Sequence, residues 1–454
     1  MTKFPRQGLP KEELFEQLRT YKEHDGDWKH GRTWSLVYDA GEDITNVMEE
    51  VYREYYHANG NNPFVFRSLQ RLETEALSMA ADLLHGGENT VGSLTSCGSE
   101  SLLMAVKAAR DEARALKPHI EKPEMILAET AHAALFKAAH YLDVKPIVAP
   151  VGKNFQVDVA AVRAAVTPNT ILLIGSAPQY PQGIIDPIGQ LGQIALEHNL
   201  RFHVDACLGG FTLPFLRELG CDIPPFDFEV EGVSSISADL HKYGFAAKGV
   251  SAILYRDNAL RRYQYFSLAG WPGGLFASPT VTGTRPGGAI ATAWAALRYI
   301  GRDRYLEITR TILETREKLF ATIRSHEDLY ILGSPQAGIF AIGSHTLDVH
   351  MLADALEAKG WVIDQQANPD SLHFMVTPAH IQSAEQFAHD LDAALREVKE
   401  DPRRFAGGSA RIFAMQKQIE DKAAADNLLT DMLSGYMTEG EKTAPGIPAG
   451  TLGL

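Results

Sequence analysis

Residues 170–206, TILLIGSAPQYPQGIIDPIGQLGQIALEHNLRFHVDA, contain the clearest indication of the fold. This stretch begins with the apolar, β-branched run 170–174, continues with an amphipathic segment at 187–198 and ends with a second apolar run at 201–204. Short uninterrupted apolar runs are typical of strands buried on both faces, and the segment between them has helical periodicity. We therefore expect a strand–helix–strand unit with a right-handed crossover and parallel strands.

The same alternation continues on both sides of this unit. Further strands are expected at 125–128, 146–149 and 250–255, and further helices at 68–84, 99–116, 132–142 and 212–219. This pattern predicts an α/β fold in which helices cover both faces of a mainly parallel sheet. Ligands bind such sheets at the carboxyl ends of the strands.

A Gly/Pro-rich region between residues 263 and 288 interrupts the pattern, and we expect a domain hinge just after it. A long helix is predicted from 289 to about 325, followed by strands near 339–342 and 372–376 and helices near 348–359 and 383–399. The predicted division is an N-terminal arm at 1–61, a large domain at 62–288, a small C-terminal αβ domain at 289–410, and a C-terminal helix with a loose tail at 411–454.

Composition excludes several classes of protein. The 454 residues are 45% hydrophobic and 22% charged, which is typical of a globular protein and not of a disordered one. The net charge of −14 repels phosphate backbones, so no nucleic-acid partner is expected. No apolar run approaches the ~18 residues of a membrane span. The three cysteines lack CxxC spacing and the 16 histidines include no HExxH, so we expect a reducing, cytoplasmic location and no metal.

The most informative motif for chemistry is SADLHKYG, residues 237–244. Lys242 lies between a histidine and an aromatic residue just before a predicted strand, a position suited to Schiff-base chemistry. Taken alone, a solvated surface lysine is the simpler interpretation. Asp205 favours the catalytic interpretation of Lys242 instead, because an acid at the end of a strand can hold a proton on a pyridine nitrogen. Together the two residues indicate pyridoxal 5′-phosphate (PLP).

A PLP site also needs a phosphate cradle and a group that packs on the ring. The motif TSCGSES, residues 95–101, precedes an apolar helix, where Gly98 and Ser99 can bring free backbone amides to an anion. The alternative for this motif is an ordinary helix cap with a glutamate in the first turn. His132 begins another predicted helix and either stacks on the cofactor ring or caps that helix.

Five motifs together resemble the sphingosine-1-phosphate lyase family. They are HVDACLGGF at 203–211, SAPQYP at 176–181, DLHKYG at 239–244, WPGG at 271–274 and RPG at 285–287. The resemblance extends from about Trp34 to about Ala393. This family belongs to the group II decarboxylase-like enzymes, so the resemblance implies a fold-type I PLP-dependent transferase-like fold. The resemblance is greater to the soluble bacterial forms, so we expect no membrane anchor of the kind found in eukaryotic members.

The resemblance implies roles for the cofactor residues. It makes Lys242 the Schiff-base lysine, Asp205 the partner of the pyridine nitrogen and His132 the ring-stacking residue. The phosphate is expected to lie against Gly98, Ser99, Tyr180 and His241, and against Gly283 and Thr284 of a neighbouring subunit. The family therefore implies a homodimer with shared active sites.

The resemblance also implies substrate contacts at Tyr38, Asn62 and Lys248. Arg285 either binds an anionic group of the substrate or ties the Gly/Pro loop to the dimer interface. Where the family has Asn-Pro-Leu-His, this chain has Asn62-Pro63-Phe64-Val65, so a histidine that would contact the substrate phosphate is replaced by Val65. A valine donates no hydrogen bond. His57, Asn59 or Asn61 are candidates to compensate.

The expected function is that of a PLP-dependent carbon–carbon lyase. Its substrate would be an amphiphilic, phosphorylated sphingoid base, cleaved to a long-chain aldehyde and phosphoethanolamine. Lys242, Lys248 and Tyr180 are all candidates for moving protons, and the sequence does not choose among them. The alternatives are an amino-acid decarboxylase or aldolase on the same scaffold, because the substrate clamp decides which bond breaks, and a PLP-binding protein without catalysis.

Overall fold

The structure, a computed structural model, describes residues 3–419 and 421–439. The strands are β1 (Val91–Thr95), β2 (Glu124–Ala128), β3 (Lys145–Ala149), β4 (Thr170–Ser176), β5 (Arg201–Asp205), β6 (Ser235–Ala238), β7 (Ser251–Tyr255), β8 (Phe266–Leu268), β9 (Phe276–Ser278), β10 (Leu329–Ile331), β11 (Ile339–Ser344), β12 (Asp364–Gln366) and β13 (Ser371–Met375). The helices are α1 (Lys11–Lys22), α2 (Glu42–Glu54), α3 (Arg67–Leu83), α4 (Gly98–Leu116), α5 (Ala133–Leu142), α6 (Val159–Ala165), α7 (Ile188–His198), α8 (Leu213–Glu218), α9 (Asn258–Arg261), α10 (Gly287–Arg324), α11 (Val349–Glu357), α12 (Ala384–Glu400), α13 (Ser409–Gln418) and α14 (Lys422–Glu439).

The large sheet confirms the α/β prediction. Its seven strands follow the order β1-β7-β6-β5-β4-β2-β3, and the expected unit is present as the parallel pair β4 and β5 joined by α7. The strands of this sheet are almost completely buried, apart from the edge strand β3. Burial on both faces explains why β2, β4 and β7 contain apolar runs without alternation.

The direction of β7 differs from the expected parallel arrangement. It pairs antiparallel with both β1 and β6, while the other six strands share one direction. The chain passes from β6 to β7 through residues 239–250, which contain no helix. A parallel pair needs a crossover connection, usually a helix, so this short connection reverses the strand.

Two strands of the large sheet, β1 and β6, were not expected. Their sequences, VGSLT and SISA, have no apolar run because small and hydroxyl-bearing residues replace the usual branched ones. The hydroxyls are satisfied inside the fold: Ser101 Oγ lies 2.7 Å from Thr95 Oγ1 and 2.8 Å from Ser251 Oγ. Internal pairing of this kind removes the cost of burying polar groups.

The C-terminal unit is built on an antiparallel sheet with the order β10-β11-β13-β12. Strands β11 and β13 and helices α11 and α12 lie where the sequence predicts them. The three-residue strands β10 and β12 are too short to give a periodic pattern. The predicted long helix is interrupted at Gly301, whose positive φ of 64° is readily available to glycine alone.

The domain boundaries stay a prediction. The strands of the large sheet lie between residues 91 and 255 and those of the small antiparallel sheet between 329 and 375, which supports a division near 288. The tail predicted after the C-terminal helix, residues 443–454, lies outside the described part of the chain. Among the helices that the structure describes, none combines the length and apolar character needed to cross a bilayer.

Candidate active site

The topology brings the predicted cofactor residues to one edge of the large sheet. Strands β1, β2, β4, β5 and β6 share a direction, so their carboxyl ends meet there. The segments at these carboxyl ends carry Gly98, His132, Tyr180, Asp205 and Lys242, respectively. This is the edge at which α/β sheets bind ligands.

Lys242 forms an ion pair with an acid that the sequence analysis did not select. Its Nζ lies 2.9 Å from Oδ2 of Asp239, whose side chain is 1% exposed. Burial by itself lowers the pKa of Lys242, but the carboxylate of Asp239 outweighs it and the pKa is raised. The amine is therefore held in place as an ammonium group at the base of the site.

Asp205, at the end of β5, is buried among neutral donors. Its Oδ1 accepts a hydrogen bond from the backbone N–H of Cys207 at 3.1 Å and from Ser237 Oγ at 3.4 Å. Burial lowers the pKa of His203, two residues earlier, to about 4, so this neighbour is neutral. Among the described residues no cation forms an ion pair with Asp205, so its charge is available to a protonated ring nitrogen.

His132 caps helix α5. Its Nδ1 accepts a hydrogen bond from the backbone N–H of Ala134 at 3.1 Å, which assigns the ring proton to Nε2. Burial lowers the pKa of His132, which favours this neutral form. The cap therefore uses Nδ1, and this hydrogen bond fixes the orientation of the ring. Stacking of the ring face on a cofactor stays a prediction.

Tyr180 connects this edge to the small antiparallel sheet. Its hydroxyl donates to Asp364 Oδ2 at 2.6 Å, and its ring stacks on His373 at a centroid distance of 4.1 Å. Burial and the nearby Asp364 carboxylate raise the pKa of Tyr180. The hydroxyl is therefore a proton donor, not a base, near neutral pH. Asp364 and His373 belong to no recognisable motif, so the sequence alone does not reveal them as neighbours of Tyr180.

Tyr38 and Lys248 lie together beside this cluster. The Lys248 ammonium is 4.7 Å from the centroid of the Tyr38 ring and donates to the carbonyl of Leu36 at 2.8 Å. Lys248 as a whole residue is exposed, yet its ammonium group packs against protein. Burial and the charge of Lys242 lower the pKa of Lys248 to about 8.

The amino end of α4 forms a close-packed cradle. A Cβ at Gly98 would lie 2.6 Å from Asp239 Oδ2 and 2.9 Å from Cys207 Sγ, so only glycine fits there. Ser99 follows and is exposed. The buried Nδ1 of His241 has no hydrogen-bond partner among the described residues. A helix N-terminus, a hydroxyl and a free imidazole nitrogen form a donor set suited to a phosphate group.

These residues fit PLP. Lys242 would hold its aldehyde carbon, Asp205 its ring nitrogen, and the amino end of α4 its phosphate group. Within the described part of the chain, Asp205 has no ion-pair partner and His241 Nδ1 has no hydrogen-bond partner. Buried groups of this kind are costly unless a ligand satisfies them.

Other residues selected from the sequence do not join this cluster within the single chain. Asn62 lies in an exposed turn, where its Oδ1 accepts from the N–H groups of Phe64 at 3.1 Å and Val65 at 3.2 Å. Gly283 and Thr284 are exposed in the loop before α10. These positions match the expectation that the loop serves a neighbouring subunit, which stays a prediction.

Arg285 is committed to contacts within the protein. Its guanidinium pairs with Glu73 and donates to the carbonyls of Leu94 at 3.0 Å and Gly60 at 3.1 Å. Of the two interpretations offered by the sequence, these contacts favour the structural one, in which Arg285 anchors the Gly/Pro loop.

Comparisons with known proteins agree with this geometry. Residues 68–341 match the pyridoxal-dependent decarboxylase conserved domain. The chain is 40% identical to sphingosine-1-phosphate lyase 1 of Rattus norvegicus over 439 residues, which cover 96% of this chain and 77% of that protein. It is 40% identical to the sphingosine-1-phosphate lyase of Arabidopsis thaliana over 93% of this chain and 78% of that protein.

A solved structure of a similar protein also matches this chain. The sphingosine-1-phosphate lyase of Burkholderia pseudomallei superposes with a TM-score of 0.85 at 39% identity, covering 93% of this chain and 98% of that chain. The resemblance seen in the motifs is thereby confirmed, and PLP is the cofactor. The chain belongs to the sphingosine-1-phosphate lyase family of PLP-dependent enzymes.

Proposed function

We propose that this chain cleaves a phosphorylated sphingoid base to a long-chain aldehyde and phosphoethanolamine. The observation that carries the proposal is the convergence of Lys242, Asp205 and the amino end of α4 at one sheet edge. Its near-full-length identity to sphingosine-1-phosphate lyases supports this choice of substrate over others that the same cofactor could serve.

When bound, PLP supplies an electron sink for the pair of electrons released as the substrate's Cα–Cβ bond breaks. Lys242 would anchor the cofactor through its amine, with Asp239 orienting that amine. Asp205 would keep the proton on the ring nitrogen, since burial among neutral donors leaves its charge uncompensated. The hydroxyl of Tyr180, whose proton is donated to Asp364, would present its oxygen to the site as a hydrogen-bond acceptor.

Bond cleavage requires a group that removes the proton of the substrate's C3 hydroxyl. Of the three candidates from the sequence, the pKa values of Lys242 and Tyr180 are raised, whereas that of Lys248 is lowered to about 8. A general base works best when its pKa lies near the operating pH. This supports Lys248 as the proton acceptor, beside Tyr38.

The proposed working form is a homodimer with shared active sites. The exposed loop carrying Gly283 and Thr284 follows a β8–β9 hairpin with several exposed apolar side chains: Phe266, Leu268, Trp271, Leu275 and Phe276. A contiguous apolar surface of this kind usually marks a contact with another protein. We also propose a cytoplasmic location, supported by three cysteines that are all free.

Val65 keeps a second candidate function open. It is 67% exposed and has no polar atom with which to replace the family's histidine at the substrate phosphate. A substrate without that phosphate, such as an amino acid to be decarboxylated, would not need the missing contact. The two candidate functions differ in their products: a long-chain aldehyde and phosphoethanolamine from the lyase, and carbon dioxide from the decarboxylase.

The test is to incubate the PLP-loaded protein with dihydrosphingosine-1-phosphate and to search for products by mass spectrometry. We expect phosphoethanolamine and the fatty aldehyde in equal amounts. Lys242→Ala should form neither, while the exposed control Lys318→Ala should form both. Carbon dioxide released from an amino acid, with no aldehyde from the phosphorylated base, would overturn the proposal in favour of a decarboxylase.

A further inference from the structure

We infer that Glu100 is a positioning residue that links the two halves of the shared cofactor site. One half is the phosphate cradle at the start of α4, and the other is the loop that this chain would offer to its partner. The inference rests on the proposed function, because it assumes that Gly283 and Thr284 serve a second subunit.

Glu100 is the third residue of α4 and is 6% exposed. Its Oε2 accepts a hydrogen bond from the backbone N–H of Ser96 at 2.6 Å, just before the cradle. Its Oε1 accepts from the backbone N–H groups of Val281 at 2.7 Å and Thr282 at 3.2 Å. A single carboxylate therefore joins two segments that lie 181 residues apart in the sequence.

Three backbone amides donate the hydrogen bonds that the described residues make to this carboxylate. Within the part of the chain that the structure describes, no Lys, Arg or His forms an ion pair with Glu100. Hydrogen bonds from N–H groups to a carboxylate are short and strong, and the amino end of a helix favours negative charge. A helix-capping role explains the bond to Ser96, but it does not explain the two bonds to the loop.

The far end of the same loop is also anchored. Arg285 pairs with Glu73 and donates to the carbonyl of Leu94, so the loop is held on both sides of its tip. Gly283 and Thr284, between these anchors, are exposed, and nothing lies within 4 Å of the Cβ position at Gly283. A loop held in this way is ready for a ligand, because it has little conformational freedom left to lose on binding.

Loss of Glu100 should therefore disturb both halves at once. The amino end of α4 would lose its support at Ser96, and the loop would lose its support at Val281 and Thr282. Each cofactor would then be bound by a loosened cradle from one subunit and a loosened loop from the other. PLP affinity and dimer stability should fall together.

The test compares three variants by PLP titration and by sedimentation velocity. Glu100→Ala removes the acceptor of all three hydrogen bonds, and we expect PLP affinity to fall about tenfold or more, with a weaker dimer. Glu100→Gln retains one oxygen acceptor, so its PLP affinity should lie between those of Glu100→Ala and the unsubstituted protein. Glu112→Ala, which removes another buried glutamate of α4 paired with Arg201, should lower thermal stability without a comparable loss of PLP affinity.

Either of two results would overturn the inference. One is a folded Glu100→Ala dimer that binds PLP within twofold of the unsubstituted protein; if that variant does not fold, a Glu100→Gln protein with unchanged PLP affinity has the same meaning. The other is an equal loss of affinity in Glu112→Ala, because it would show a general effect of destabilisation. If instead the unsubstituted chain binds PLP fully as a monomer, the shared site of the proposed function is wrong.

Discussion

Asp205 and Asp239 are both buried at the same sheet edge, yet their partners differ. Asp239 is paired with Lys242 at 2.9 Å, so its charge serves to hold the amine. Among the residues that the structure describes, Asp205 accepts hydrogen bonds from two neutral groups, the Cys207 amide and the Ser237 hydroxyl. The uncompensated carboxylate is the one suited to stabilise a positive charge on a ligand.

Replacement of Asp205 by asparagine tests this difference. The Asp205→Asn substitution keeps the size of the side chain but removes its charge, so the protein should still bind PLP and lose activity by on the order of 100-fold or more. Absorbance spectroscopy reports cofactor binding, and the rate of aldehyde formation reports activity. A rate near that of the unsubstituted protein would count against the role of Asp205 as partner of the ring nitrogen.

The pH dependence of the reaction tests Lys248. Because its pKa is lowered to about 8, the amine loses its proton as the pH rises through that value. A base must be unprotonated to act, so kcat should rise with pH and level off above about 8. In Lys248→Arg, which stays protonated, this rising limb should disappear along with most activity. A kcat that falls through the same range would show instead that the charged form of Lys248 is needed.

The sequence predicted the site residues that lie in motifs and missed those that tertiary structure recruits. The sequence selects Asp205 because it ends a predicted strand and Lys242 because it precedes one, and the structure places both at one sheet edge. Asp239 lies three residues before Lys242, and this spacing does not by itself predict a contact. The turn between them brings the two side chains together. Asp364 reaches Tyr180 from a three-residue strand in the other sheet, which local patterns do not reveal.

At the scale of the elements, strands were predictable where burial required branched apolar residues. The parallel strands β2 and β4 have such sequences, whereas β1 and β6 contain hydroxyl side chains such as Thr95 and Ser235, which bond to Ser101 and His203 elsewhere in the fold. The reversed direction of β7 depends on the short connection from β6, not on its own residues. The apolar runs therefore predicted that a sheet forms, but they did not predict all of its strands or the direction of each strand.

The close packing around Gly98, at the start of α4, can be tested by substitution. Gly98→Ala would place a methyl group 2.6 Å from Asp239 Oδ2, so it should displace the Lys242–Asp239 pair and lower PLP affinity by about tenfold or more. The matched control is Gly189→Ala in α7, where nothing lies within 4 Å of the new Cβ. The control should be neutral or stabilising by up to ~1 kcal/mol.

PLP titration and thermal unfolding distinguish the two glycine variants. Gly98→Ala should affect cofactor binding more than stability, because the clash is confined to the cradle. Unchanged PLP affinity in Gly98→Ala would show that the amino end of α4 does not approach the cofactor.

At the scale of the whole molecule, the site is assembled from both sheets. Tyr180 bonds to Asp364 of the small sheet, Tyr38 donates to Met375 Sδ at 3.1 Å, and Tyr243 donates to the carbonyl of Val376 at 3.1 Å. Trp34 anchors the segment that leads to Tyr38, because its ring is fully buried in the small unit. The C-terminal unit is therefore part of the site and not an appendage.

Mixed dimers test the proposed sharing between subunits. Lys242→Ala lacks the cofactor lysine, and Thr284→Asp places a negative charge where the loop should meet the phosphate, so each variant alone should be inactive. In a hybrid, the site that uses Lys242 from one chain and the loop from the other is intact. An equal mixture, refolded together, should regain about one quarter of the full activity by random pairing. No recovery from dimers proven to be mixed would contradict the shared site.

We propose that PLP is held at this sheet edge with Lys242 as its covalent anchor. Reduction of the PLP-loaded protein with sodium borohydride fixes the cofactor to its lysine, and peptide mass spectrometry then identifies that residue. We expect the pyridoxyl group on Lys242 and on no other lysine in significant yield. A pyridoxyl group on Lys248 or on a lysine elsewhere, with Lys242 unmodified, would contradict it.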